Sequence, residues 1–207
     1  MGDRLLTRMA KVKRDLPVIA FKSQQALDAW LTSQPTQSKG LWLKLAKKSS
    51  RIASVSKPEA IDTALCHGWI DGQLDSFDDN YWLIRFTPRQ STSKWSEKNR
   101  ARALQLVELG RMQPAGLNEI ERAKQDGRWK AAYAPQSTAQ VPDDLRAALA
   151  KNKKAKGFFE TLDGTNRYAI LHRIHNARKA ETRTARIEKF LTMLTEGKTI
   201  YPLKPRR

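Results

Sequence analysis

Apolar positions alternate along the first third of the chain and recur every three or four residues after it. The β-branched run Leu16–Phe21 reads as a strand, and Ala26, Leu27, Trp30 and Leu31 follow Ser23 at helical spacing. In Gly40–Ala46, Leu41, Leu43 and Leu45 share one face of an extended segment and Trp42 and Lys44 the other, which predicts a second strand. Ser56 opens a capping box with Glu59 and has Pro58 in the first turn. Ala60, Ile61, Ala64 and Leu65 form the apolar stripe of that helix, and Gly68 is placed to end it. Trp69–Leu74 and Tyr81–Thr87 flank a polar turn at Ser76–Asn80, and Trp82, Ile84 and Phe86 fall on one face. These features predict a β-hairpin.

Past Arg89 the period is helical. Ser93 or Ser96 caps a helix over Glu97–Leu109 that Gly110 ends, and Pro114 sits just inside another over Pro114–Asp126 that Gly127 ends. A looser stretch, Ala134–Val141, precedes three predicted helices: Asp143–Leu162, Thr165–Ala177 and Glu181–Glu196. In the last, Ile187, Phe190, Leu191 and Leu194 line one stripe. The predicted fold class is α+β: a small β-sheet or hairpin with packed helices, followed by a C-terminal all-helical module. The predicted domains are a basic flexible arm at residues 1–14, an α+β domain at 15–135 and the helical module at 140–207.

Charge changes this picture by pointing to anionic partners. The chain carries 39 lysines and arginines against 21 acidic residues, a formal charge of +18, which favours nucleic acid, acidic lipid or acidic protein. Residues 51–150 hold 14 basic and 13 acidic residues, so the excess belongs to the two ends. The single cysteine, Cys66, excludes an intramolecular disulfide and suits a reducing compartment. The N-terminal sequence has no apolar h-region, and no run reaches the roughly 18 apolar residues of a membrane helix. A cytoplasmic location is expected, with envelope association left open.

Candidate chemistry is sparse. Cys66 and His67 are neighbours on a helix and face different directions, so they do not form a dyad, and Cys66 reads as a small buried hydrophobe. His172 and His175 are spaced to share a metal but lack further ligands; neither a metal nor a cofactor is expected. Arg85, Arg89 and Lys94 gather with Ser93 and Ser96 just before a helix start, where free N–H groups accept anions. With Asp71 and Trp69 on the hairpin they make up the predicted anion or ligand site. Arg85 alternates with Ile84 and Phe86, so its side chain leaves on the face opposite the apolar one. Two other readings stand beside a binding role: non-specific attachment to nucleic acid through the basic helices, and an enzyme using Asp71 and Asp75 with Arg85 and Arg89.

The segments WIDGQLD at Trp69–Asp75, RFTPRQSTSKWSEKNRARALQLVELGRMQPAGL at Arg85–Leu117, AKQDGRW at Ala123–Trp129, VPDDLRAAL at Val141–Leu149 and RYAILHRIHNARKAETRTARIEKFLTML at Arg167–Leu194 give the chain a resemblance to the YdeI/OmpD-associated family. The resemblance covers the chain from about Trp42 onward. It implies a bacterial stress-protection protein, associated with resistance to bacteriocins or cationic antimicrobial peptides and with an outer-membrane porin or other protein partner. It implies no established reaction and no catalytic residue. The family usually has Phe where this chain has His67, which argues against His67 as an acid or base.

Overall fold

The computed structural model describes residues 15–35 and 37–203, so the predicted basic arm lies outside the described residues. The chain divides into two units. The first comprises the residues up to Ser93 together with Ala101–Gly127, and the second Lys94–Arg100 together with the residues from Arg128 onward.

The first unit is built on four strands, β1 (Val18–Ala20), β2 (Leu41–Ala46), β3 (Trp69–Ser76) and β4 (Tyr81–Pro88), in the order β1-β2-β4-β3. β1 and β2 run parallel, joined by a crossover through α1 (Gln24–Thr32), whose N-cap Ser23 accepts the Ala26 N–H. β2 and β4 pair antiparallel, with Leu41 opposite Phe86, Leu43 opposite Ile84 and Leu45 opposite Trp82. These same-face pairs make one sheet surface apolar, and α1 and α2 (Lys57–Cys66) cover it with Leu27, Leu31, Ala60 and Ala64. Burying each such leucine contributes about 1.5–3 kcal/mol. α2 begins with the predicted capping box: Ser56 N donates to Glu59 Oε2 at 2.8 Å, and Glu59 N to Ser56 Oγ at 3.4 Å. Trp42 and Leu83 point to the other sheet face and cluster with Leu16. The first unit also holds the C-terminal part of α3 (Glu97–Glu108) and α4 (Pro114–Gln125), which packs on α2.

In the second unit α5 (Asp143–Ala150), α6 (Lys153–Thr161), α7 (Gly164–His175) and α8 (Ala180–Thr195) enclose Leu145, Leu149, Phe159, Ile170, Ile174, Phe190 and Leu194. The single helix predicted over Asp143–Leu162 is two helices. Asn152 stops α5 and caps α6, accepting the Ala155 N–H on Oδ1 at 3.0 Å, and this local bond outcompetes helix continuation. Residues 94–100 also belong to this unit. Trp95 meets Trp129 edge-on with ring centroids 4.8 Å apart, and Tyr133 N donates to Trp95 O at 3.0 Å.

Candidate anion-binding site

α2 ends at Cys66, and His67 and Gly68 turn the chain into β3. Gly68 has φ +74°, and a β-carbon there would stand 2.9 Å from the Ala115 carbonyl, so both the turn and the close approach of α4 require glycine. His67 is buried, with Nε2 2.9 Å from Asp28 Oδ1 on α1. The Arg89 N–H donates to the Gly68 carbonyl at 2.9 Å, and Trp69 pairs with Pro88. The open end of the hairpin therefore holds His67–Trp69 beside Pro88–Gln90.

These residues line a cavity of about 490 Å³ together with Gln113, Glu119 and Arg122 from the start and body of α4. Arg89 and Trp69 are buried, at 4% and 5% exposure. Arg122 Nη2 lies 2.6 Å from Glu119 Oε2 and donates to the Arg89 carbonyl at 3.4 Å. Arg89 and Arg122 thus line the cavity together with Glu119, which pairs with Arg122. A guanidinium is suited to pair with a phosphate, sulfate or carboxylate through forked N–H donors.

The other predicted site residues are distributed elsewhere. Arg85 stands opposite Trp42 and lies 3.7 Å from Asp15, on the sheet face away from the core, as the alternation predicts. Asp71 stands opposite Phe86, so it leaves by the other face. The register shifts between Asp71 and Leu74, which sets Asp75 opposite Leu83 on the Arg85 side. The set Asp71, Asp75, Arg85 and Arg89 invoked for an enzyme is therefore split across the sheet. Ser93 closes a turn, accepting the Gln90 N–H on Oγ at 2.9 Å.

Lys94 and Ser96 belong to the second unit. Ser96 caps α3, accepting the Asn99 N–H at 3.1 Å, while Glu97 N donates to Tyr133 O at 2.9 Å. The chain itself therefore takes N–H groups that were expected to receive an anion. Burial, then Arg178 and Arg186, push the Lys94 ammonium below its ordinary pKa. Of the predicted set, the cavity gathers Trp69 and Arg89. The residues not foreseen are His67 with its partner Asp28, and Glu119 and Arg122, whose i, i+3 spacing on a helix was the available signal.

Cys66 is buried and lines a separate cavity of about 430 Å³ with Asp28 and Arg111. His175 Nε2 is 3.2 Å from Ala131 O, and His172 packs edge-on against Tyr133. Among the described residues no group of three His, Cys, Asp or Glu side chains is placed to hold a metal ion, and no helix is long and apolar enough to cross a membrane.

Residues 19–119 match the model of a family described as a domain of unknown function, DUF8412, and residues 138–197 match that described as Bacteriocin-protection, YdeI or OmpD-Associated. The second match takes in VPDDLRAAL and the long basic helical segment, whereas WIDGQLD and the segment Arg85–Leu117 lie in the first. No curated protein and no solved structure matches the chain. The resemblance to the YdeI/OmpD-associated family is thus a match over residues 138–197, in the C-terminal helices.

Proposed function

We propose that this chain is a non-enzymatic protection protein, acting against bacteriocins or related antimicrobial peptides by binding a protein partner through an anionic group. The family match at residues 138–197 supports the protective role. The observation that carries the binding mode is the cavity shared by Arg89, Arg122 and Trp69. Its volume of about 490 Å³ falls in the range of small-ligand sites, roughly 300–1,000 Å³. An outer-membrane porin or another envelope protein presenting a carboxylate or phosphate is a partner of suitable chemistry.

Thermal-shift titrations with phosphate, sulfate and citrate test the site. We expect a rise in Tm that survives Arg85→Ala, shrinks in Arg89→Lys and disappears in Arg122→Gln, a half-exposed position whose loss does not threaten the fold. Equal responses of Arg122→Gln and wild type would remove the cavity as the anion site. Bacteria dependent on this chain for survival under a bacteriocin should lose protection with the same variant.

A second reading, non-specific nucleic-acid binding, draws on charge. Residues 128–207 carry 18 lysines and arginines against seven acidic residues. Backbone binding of that kind weakens steeply with salt. Anisotropy of a random duplex measured at low and at physiological ionic strength separates the two readings, because the cavity's ligand is not displaced by unrelated DNA.

A further inference from the structure

α5 and α6 leave a hollow of about 190 Å³ on the second unit. Its floor is apolar: Leu149 and Phe159 come from the helical core, with Val141 and Ala150 beside them. Its rim is cationic, formed by Arg146, Lys156 and Arg167 against one carboxylate, Glu160.

The three cations are differently engaged. Arg146 is held by Asp143 at 2.8 Å and by the Val141 carbonyl at 2.9 Å. Lys156 reaches Glu160 only at 3.9 Å. Arg167 lies with its guanidinium carbon 4.8 Å from the centroid of the Phe159 ring and makes no ion pair among the described residues. Phe159 thus fixes a guanidinium at the lip of an apolar hollow, where an incoming carboxylate meets forked donors while its apolar substituent covers the floor.

We propose that this hollow binds the C-terminus of a partner polypeptide whose last residue is large and apolar, the side chain entering over Leu149 and Phe159 and the terminal carboxylate meeting Arg167 and Lys156. Volume favours a peptide end over a lipid. The hollow is smaller than sites for drug-sized molecules and holds one large side chain, whereas an acyl chain needs a longer channel. The site is separate from the cavity of the first unit, and neither proposal depends on the other.

The test uses the full chain and a fluorescently labelled hexapeptide ending in Phe, compared with its C-terminal amide and with octanoate. The free acid should bind with saturation and at least about tenfold more tightly than the amide. Arg167→Gln should weaken the acid by a similar factor and leave the amide unchanged. Lys156→Gln should produce a smaller loss. The rim residues are exposed or half-buried, so these variants fold, which their unchanged unfolding midpoints will verify. Equal affinity for acid and amide, no saturable binding up to about 1 mM, or displacement of the peptide by octanoate at lower concentration than by unlabelled peptide would each overturn the assignment.

Discussion

Gly116 on α4 lies directly beneath the carbonyl of Cys66 at the end of α2: a β-carbon at Gly116 would fall 2.3 Å from that oxygen and 2.7 Å from Met112 Cε. The backbone cannot yield there, because Gln113 N donates to the same carbonyl at 3.1 Å. Gly116→Ala should therefore destabilise the first unit by about 1–3 kcal/mol, despite alanine's better helix propensity. Gly157, inside α6 with nothing within 4 Å of a built β-carbon, should respond to the same change with a gain of about 0.5–1 kcal/mol. Denaturant unfolding of the two variants checks the pair, and a destabilised Gly157→Ala would count against an open flank on α6.

Cys66 should behave as a protected thiol. Burial is the main cause raising its pKa, only partly countered by Arg111, so the thiolate is scarce at neutral pH. Labelling of the native chain by Ellman's reagent should be much slower than in urea and should accelerate only as pH climbs past the ordinary thiol range. Cys66→Ala should cost about 1 kcal/mol and leave the phosphate response of the neighbouring cavity intact.

His172 gives the second unit a predictable acid sensitivity. Burial first, then Lys94, His175 and Arg173, hold its pKa below the ordinary 6.5. The unfolded chain therefore binds a proton more readily than the native one. The stabilising contribution is fully present above pH 6.5 and is lost as pH falls through that value toward the native pKa. His172→Phe keeps an aromatic ring against Tyr133 and removes the titration. Stability measured between pH 7.5 and 5 should fall less steeply in the variant than in wild type, and parallel curves would mean that the acid sensitivity arises from other groups.

Much of the element order was legible in the sequence because it is written in local signals. The reciprocal bonds of Ser56 and Glu59 and the left-handed glycines at 68, 110, 127 and 197 need only neighbouring residues. The parallel pairing of β1 with β2 was not legible, since three residues carry too little pattern and the pairing depends on how α1 packs. The bulge after Asp71 escaped for a related reason. A strand without it would put Asp71 and Asp75 on one face, and only Gly72 hints that the register slips. The cavity was legible only in part: Arg89 and Trp69 were singled out, whereas Glu119 and Arg122 are brought there by α4 from tens of residues away.

The second unit's claim on residues 94–100 sets a condition on recombination. A chimera that exchanged the C-terminal part with that of a relative, cutting once near residue 128 or 138, would take away Trp129 and Tyr133 or strand them with a foreign sequence. Trp95, Ser96 and Arg100 would remain behind, still shaped to receive them. Inheritance of the second unit is therefore by two segments at once, and a functional hybrid must draw Lys94–Arg100 from the same parent as its C-terminal helices.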